Sequence, residues 1–478
     1  MSEAKTLEYT ADYVVVGAGA SCLAFVDTLI NESAATVIIV DNRHKPGGHW
    51  VDAYSFVTLH QPSFFYGVNS KELSQGKIDH CGLNQGLNEL ATGAEVQAYF
   101  DNVMREILLP SGRVRYFPMC EYVGEGRVKH LISGEEFRVH YTRKLVDSTY
   151  YKTAIPATHT PQFARDASLT MVPPNALPQI LNQHTHGFSH FTLLGGGKTA
   201  IDTCLWLLQH QVNPDNITWY MPRDAWFIDR KNTQPTSAFF NDTIGAQARQ
   251  MEAIAASDSI TDLFLKLESA EVLLRLDPEV LPQMFHGATI SRLELEQIRR
   301  VKNIVRKGRI IKLGADEIVF TQGTETSAAN SLYIDCTASA ITNLKIEPVF
   351  QDDIIKIQMV RAYQPTFSAS FIAHLELCYD NNDKKNQLSK VVPLPNTLED
   401  WVEMTYRNMM NQFFWSKEPG LKAWMLKQRL DGFSQLVNNV RFYQLDKLKI
   451  LNRMRKAAKP AIIKLKAYRE GITLSSQQ

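Results

Sequence analysis

The sequence predicts an α/β fold built around two β-α-β units, with a helical C-terminal part. In the first unit, the β-branched run 13–16 ends in glycine, a helix covers about 21–31, and a second strand covers 36–40. The second unit starts near His190 and repeats the order of strand, glycine-rich turn, helix and strand. Short apolar runs of this kind are typical of strands buried on both faces of a parallel sheet.

The composition is that of an ordinary soluble globular protein of two or three domains. The 478 residues are 44% hydrophobic and 21% charged, with a formal net charge of +1, which argues against nucleic-acid binding as the main role. The six cysteines include no Cys-x-x-Cys pair, so we expect a reduced protein without a redox-active dithiol. We recognise neither a signal peptide nor an integral membrane segment and predict a cytoplasmic location.

The first glycine-rich loop, 17–22, predicts a dinucleotide-binding site. It follows a strand and opens a helix, and Asp41 ends the next strand. Gly17 permits the tight turn, and Gly19 lets the backbone approach a pyrophosphate at the N-terminus of the helix that contains Ser21. Asp41 can accept hydrogen bonds from ribose hydroxyls.

The segment after this unit resembles the FAD site of flavin-containing and Baeyer–Villiger monooxygenases. An acidic strand end is followed by a basic residue and by the Gly-Gly-x-Trp turn 47–50, and the spacing Val114-x-Tyr116-x-Pro118-x-Cys120 resembles the strand that holds the FAD adenine. The resemblance also includes the strand end 334–337, where related enzymes re-enter the FAD domain. By this resemblance, the residues that contact FAD are Arg43, Gly48, His49, Trp50, Cys120 and Thr337.

The second glycine-rich loop, 195–200, predicts a second dinucleotide site. A Walker phosphate loop is excluded because it needs a glycine five residues before Gly197, where Thr192 stands. The following strand leads to Arg223 rather than to an acidic residue, which favours the 2′-phosphate of NADPH over the free ribose of NADH. The candidate contacts are Gly195, Gly197, Lys198, Thr199 and Arg223.

The resemblance implies two Rossmann-like dinucleotide-binding domains. Residues 1–160 and 331–397 would form a discontinuous FAD domain, 161–330 an inserted NADPH domain with a helical insertion, and 398–478 a helical C-terminal segment. The implied function is an FAD- and NADPH-dependent monooxygenase of a small organic substrate, in which NADPH reduces FAD and O2 then forms a C4a-peroxyflavin.

Two alternatives stay open, because the family fingerprint Phe-x-Gly-x-x-x-His is absent from the sequence. One is an NAD(P)H-dependent reductase, dehydrogenase or oxidase that does not oxygenate its substrate. The other is a non-enzymatic FAD-binding protein. In all of these the partners are small molecules, with O2 as the second substrate of a monooxygenase.

His60 and Gln61 are candidate catalytic residues, because the chain of the resembling enzymes runs beside the flavin ring at this point. A packed loop with satisfied polar groups is the alternative. His184, His186 and His190 have near-ligand spacing, but no carboxylate or thiolate is adjacent, so we predict no metal site.

The C-terminal segment predicts a basic amphipathic helix. Between Arg441 and Arg469 there are ten Lys or Arg residues against Asp446 alone. Apolar residues recur every three positions, at Leu445, Leu448, Leu451 and Met454. We favour a solvated face of a helix that is docked on the protein body. Contact with an anionic membrane surface or a partner is the alternative, since basic amphipathic helices also serve that purpose.

Overall fold

A computed structural model describes residues 7–182, 187–339 and 345–471. Its strands are β1 (Glu8–Val16), β2 (Val37–Val40), β3 (Val114–Phe117), β4 (Cys120–Gly124), β5 (Arg127–His130), β6 (Glu136–Asp147), β7 (Ala164–Arg165), β8 (Met171–Val172), β9 (His190–Leu194), β10 (Ile217–Tyr220), β11 (Trp226–Asp229), β12 (Leu273–Arg275), β13 (Thr289–Ile290), β14 (Asn303–Val305), β15 (Ile310–Leu313), β16 (Glu317–Phe320), β17 (Gly323–Thr326), β18 (Ser331–Asp335) and β19 (Ile354–Lys356). Its α-helices are α1 (Ala20–Glu32), α2 (Gly93–Val103), α3 (Leu177–Leu181), α4 (Lys198–Gln209), α5 (Phe240–Ala256), α6 (Ile260–Ser269), α7 (Arg292–Ile298), α8 (Pro365–Cys378), α9 (Asn382–Leu388), α10 (Leu398–Lys417), α11 (Pro419–Met425), α12 (Phe433–Asn438) and α13 (Leu445–Arg469).

The first β-α-β unit lies in a mixed sheet. β1 is parallel to β2 on one side and to β6 on the other, β3 pairs with β2, and β19 pairs with β6. The antiparallel strands β4 and β5 extend this sheet beyond β6. α1 packs against α8, so a helix from late in the chain covers the same face of the sheet as the first helix. Val15, Phe25, Ile39 and Phe371 belong to the core between them.

The second β-α-β unit lies in a separate parallel sheet with the strand order β14-β10-β9-β18-β8. α4 connects β9 to β10, and its buried side chains share a core with Leu193, Trp219 and Ile334. The described residues therefore confirm the α/β class and both β-α-β units. The helical C-terminal part is also confirmed, with α13 packed against α5 and α10.

One strand lies in a different sheet from the one expected. The strand at 331–335 was expected to begin the return to the first nucleotide-binding half, but β18 pairs with β9 and β8 of the second sheet. The chain rejoins the first sheet only at β19. β18 is buried along its whole length, and a short apolar strand of this kind fits either parallel sheet. Its partner is therefore set by tertiary packing.

Neither a membrane span nor a metal cluster is found in the described ranges. None of the helices there is long and apolar enough to cross a bilayer. No group of three or more potential metal ligands comes together in the same ranges. Of the three histidines with near-ligand spacing, His184 and His186 lie outside the described residues, and the His190 ring contacts the Thr218 hydroxyl at 2.7 Å.

Candidate functional site

The two glycine-rich loops, one from each of the two large sheets, open into the same cavity. Its volume is about 2130 Å³. Pockets that hold one small ligand measure roughly 300–1,000 Å³, so this cavity has room for more than one. Every site residue predicted from the sequence lines it. These residues are Gly17, Gly19, Ser21, Asp41, Arg43, Gly48, His49, Trp50, His60, Gln61, Cys120, Gly195, Gly197, Lys198, Thr199, Arg223 and Thr337.

Gly19 and Gly48 bring two segments of the first half into backbone contact. Gly19 is the N-cap of α1, and Gly48 has a φ of +59°. A Cβ added at Gly48 would lie only 3.0 Å from the Cα of Gly19. Glycine at both positions thus lets the turn approach the N-terminus of α1 closely, and both residues line the cavity where a pyrophosphate would meet that N-terminus.

Asp41 connects the strand end to both neighbouring segments. One carboxylate oxygen accepts the Ala18 N–H, and the other accepts the Arg43 N–H at 2.6 Å. The Cys120 N–H donates to the Asp41 carbonyl at 2.9 Å, which brings β4 to the same corner. Burial raises the pKa of Asp41, and the two backbone N–H groups oppose that shift.

The Gly-Gly-x-Trp turn forms an aromatic wall of the cavity. The His49 ring stacks on the Trp50 ring with centroids 5.4 Å apart, and Trp50 Nε1 donates to the Tyr66 hydroxyl at 2.8 Å. Burial, and then the positive charge of Arg43, lower the pKa of His49 to about 4. Arg43 itself pairs with Asp52 at 2.8 Å. His49 is therefore a neutral ring at physiological pH.

The second glycine-rich loop packs against the end of β18. Gly195 has a φ of +116°, and a Cβ there would lie 2.7 Å from the Cys336 carbonyl oxygen and 3.5 Å from the Thr337 Cα. Thr337 was expected among the FAD contacts. The structure instead places its backbone against the second loop, because β18 belongs to the second sheet.

Lys198 forms an ion pair with Asp202 one turn further along α4. Asp202 also accepts a hydrogen bond from the Tyr54 hydroxyl at 2.8 Å. The side chains of Lys198 and Asp202 are about nine-tenths buried. Lys198, a candidate contact of the second dinucleotide, thus has its charge offset by Asp202 at the junction of the two halves.

Arg223 lines the cavity just after β10 of the second sheet. Its Nη2 donates to Asn396 Oδ1 at 2.7 Å. Burial, and then the neighbouring charge of Arg309, lower the pKa of Arg223. Arg309 also lines the cavity. Among the described residues, neither arginine has a carboxylate partner within ion-pair distance, so the pair can receive an anion.

His60 and Gln61 line the cavity between the two loops. Burial, and then the charges of Lys198 and Arg230, lower the pKa of His60 well below its ordinary value. The His60 carbonyl accepts a hydrogen bond from Arg230 Nε at 3.0 Å. Arg230 is fully buried and pairs with Glu294 at 2.8 Å. The backbone at His60 is thus held in place by a buried ion pair from the second half.

Several functional neighbours could not be found from the sequence. No motif includes Tyr54, Asp202 or Arg309. Tyr54 and Asp202 contact each other across 148 residues of sequence, and Arg309 lies near Arg223. Phe56 stacks on Trp206 of α4, with ring centroids 5.0 Å apart, and adds a second contact across the junction. The sequence offered one clue, the acidic Asp202 one turn into α4, but nothing in it indicated that Tyr54 would be the partner of Asp202.

Comparisons of the sequence with known proteins find relatives among mycobacterial proteins. No protein-family model matches the chain. A Mycobacterium tuberculosis protein designated Uncharacterized protein Rv2000 is 44% identical over 434 residues, which cover 91% of this chain and 79% of that protein. The Mycobacterium bovis protein designated Uncharacterized protein Mb2023 matches to the same extent.

Solved structures share the fold at low sequence identity. The polycyclic ketone monooxygenase from Thermothelomyces thermophila aligns with a TM-score of 0.52 and 12% identity, covering 98% of this chain and 89% of that enzyme. A flavin-containing monooxygenase from Stenotrophomonas maltophilia has a TM-score of 0.43 and 14% identity, covering 78% of this chain and 99% of that enzyme. The first likeness shows that this chain has the fold of a flavin monooxygenase.

Proposed function

This chain belongs to the same protein family as the mycobacterial protein Rv2000, and we propose that it is an FAD- and NADPH-dependent monooxygenase of a small organic substrate. The observation that carries the proposal is that two glycine-rich loops, each at the carboxyl end of a parallel strand and the start of a helix, open into one cavity. A protein that binds a single dinucleotide has no need of the second loop.

The first half of the cavity fits FAD. Gly19 and Gly48 leave backbone exposed where a pyrophosphate would lie, and Asp41 stands at the strand end where a ribose would lie. His49 and Trp50 offer flat aromatic faces beside it.

The second half fits NADPH rather than NADH. Gly197 is the N-cap of α4, so the helix N-terminus is available to a pyrophosphate. Arg223 and Arg309 lie where the 2′-phosphate would reach, without a carboxylate partner among the described residues. Two arginines without acidic partners favour a phosphate over a neutral ribose hydroxyl.

When bound, the two cofactors supply hydride transfer and the reaction with O2. The chain contributes position and environment. His60 is held neutral by burial and by two nearby cations, so its ring can donate one hydrogen bond and accept another without carrying charge. The aromatic residues around Trp50 and Tyr66 exclude water from the wall of the cavity.

The reaction with O2 decides between the monooxygenase and the alternatives. The holoprotein is reduced with NADPH without oxygen, mixed with O2, and followed by absorbance. We expect a transient flavin species whose band lies between those of the oxidised and the reduced forms. Direct return to oxidised flavin with stoichiometric hydrogen peroxide, across amines, sulfides and ketones, would instead support a reductase or oxidase.

Flavin binding is the prior test. We expect the purified protein to be yellow or to become so with FAD, with one FAD per chain. A protein that stays colourless after incubation with FAD would contradict every flavoenzyme hypothesis. Binding of FAD without any reduction by NADPH or NADH would favour the non-enzymatic alternative.

A further inference from the structure

α13 has one long face that carries positive charge and no covering element in the described structure. The helix spans 25 residues, which corresponds to about 37 Å. Its inward side, with Ala457, Ala461 and Leu465, is buried against the protein body. The opposite side is exposed, and residues spaced three and four apart share it. These residues are Leu445, Leu448, Lys449, Asn452, Arg455, Lys456, Lys459, Ile463 and Lys466.

Five cations of this helix fall into two groups, while Lys449 and Lys466 pair with Asp446 and Glu470 at the surface. Arg453 and Arg469 reach the protein body, where they pair with Glu252 and Glu403. Arg455, Lys456 and Lys459 are exposed, and no acidic side chain of the described ranges pairs with them. The second group contributes nothing visible to the fold, so its charge is available to something outside the chain.

The N-terminal end of α13 adds an exposed aromatic and aliphatic tip. Phe442 is 85% exposed, Tyr443 is 68% exposed and Leu445 is 64% exposed. The rings of Phe442 and Tyr443 lie 5.5 Å apart, edge to face. Neighbouring large apolar side chains at this exposure are typical of an interaction site.

The charge of the whole molecule is strongly polarised toward this helix. The segment 441–469 has an excess of nine positive charges, while the chain as a whole has a formal net charge of +1. The rest of the chain therefore has an excess of about eight negative charges. Facing an anionic surface, the molecule would orient with α13 toward that surface.

We propose that this face of α13, together with the Phe442–Leu445 tip, docks the protein on an anionic lipid surface. A row of cations on one side of a helix, beside aromatic and aliphatic side chains, matches both parts of a lipid interface: charged headgroups and the apolar boundary beneath them. A nucleic-acid duplex would meet the cations with its phosphates, whereas a lipid interface also offers an apolar layer to Phe442 and Tyr443. The lipid surface is thus the occupant that accounts for both features.

Vesicle flotation tests the proposal with the holoprotein. We expect binding to vesicles of equal phosphatidylcholine and phosphatidylglycerol, and none to phosphatidylcholine alone. High salt should weaken binding because it screens exposed charges. Arg455→Gln, Lys456→Gln and Lys459→Gln together should weaken it by on the order of 100-fold. Phe442→Ser with Tyr443→Ser should weaken it further.

A matched control removes three exposed cations elsewhere, at Arg127, Lys129 and Lys302, each changed to Gln. It alters the net charge equally and should leave vesicle binding unchanged. Equal loss in both triple variants would overturn the proposal, because net charge alone would then explain the binding. Absence of wild-type binding to anionic vesicles, or binding only to duplex DNA, would overturn it as well. If the triple variant fails to fold, the Phe442→Ser with Tyr443→Ser variant tests the same face against the wild type, and undiminished vesicle binding by it would overturn the proposal.

Discussion

The Tyr54 hydroxyl donates to Asp202 Oδ2 at 2.8 Å and thereby joins the Gly-Gly-x-Trp segment to the first turns of α4. Asp202 also holds the ammonium of Lys198, so one carboxylate serves both sides of the cavity. Desolvation and the charge of Asp202 raise the pKa of Tyr54, which keeps its proton available for donation. This contact fixes how the two glycine-rich loops face each other.

Tyr54→Phe should loosen the junction between the two halves. The change removes a buried hydrogen bond to a charged acceptor, so the free energy of unfolding should fall by about 1–3 kcal/mol. Chemical denaturation measures it. Tyr141→Phe is the matched control, since the Tyr141 hydroxyl lies 3.5 Å from Asp353 at the surface. Equal stability of the two variants would show that the Tyr54 contact does not hold the halves together.

Gly48→Ala should reduce FAD occupancy sharply. The new Cβ would lie 3.0 Å from the Gly19 Cα, in the space proposed for the pyrophosphate. Gly112→Ala is the control, because Gly112 has a similar φ of +69° but no atom within 4 Å of its added Cβ. Both variants carry the strain of a positive φ. A lower flavin content in Gly48→Ala than in Gly112→Ala therefore reports the contact with Gly19 and not the backbone strain. Full flavin content in Gly48→Ala would place the pyrophosphate elsewhere.

Arg223→Ala should weaken NADPH far more than NADH. Loss of one charged contact to a phosphate corresponds to roughly 1.5–3 kcal/mol, or about 10- to 100-fold in affinity. Stopped-flow reduction of the flavin at varied NADPH and NADH gives both affinities. Arg300→Ala, which replaces an exposed arginine whose guanidinium donates to the Gln297 side chain, should change neither. Parallel losses with both nucleotides would mean that Arg223 does not contact the 2′-phosphate.

His49 should make stability fall on acidification. The pKa of His49 is about 4 in the folded state and 6.5 ordinarily. Between these two pH values the His49 ring is therefore protonated in the unfolded chain but neutral in the folded protein. The unfolding free energy should therefore decline from about pH 6.5 downward, by up to ~3 kcal/mol near pH 4. Above that range His49 contributes no such loss.

His49→Gln should flatten this part of the pH profile. Other titrating groups, including His60, remain in both proteins and cancel in the difference. His44→Gln, at an exposed position in the same segment, should leave the slope unchanged. The measurement is the difference in unfolding free energy between neutral pH and about pH 5. An identical slope in wild type and His49→Gln would show that the ring is not protected from protonation.

Arg429→Met should destabilise the segment that follows His60. The Arg429 guanidinium donates to the carbonyls of Phe64, Tyr66 and Val68 at 2.6, 3.0 and 2.5 Å. Removing it leaves buried acceptors without donors, so we expect a loss of about 2–4 kcal/mol in unfolding free energy. Arg441→Met, at an exposed position, is the control. Unchanged stability would mean that water replaces the guanidinium.

The local part of the candidate site was predictable from the sequence. Each glycine-rich loop lies between a strand and a helix that are adjacent in the chain, so Gly17, Gly19, Gly195 and Gly197 were identified from spacing alone. Asp41 follows from the same rule, because parallel strands end at the same edge of a sheet. The remaining features depend on which distant segments meet.

Periodicity and spacing were enough to predict the two β-α-β units, their glycine loops and the basic C-terminal helix, because these features depend on neighbouring residues and on backbone conformations that few residues adopt. Three features emerged only from the packed chain: β18 joins the second sheet, Asp202 pairs with Lys198 and accepts the Tyr54 hydroxyl, and Arg309 lies near Arg223. A buried strand or charge can be satisfied by several partners elsewhere in the chain, and packing selects one of them.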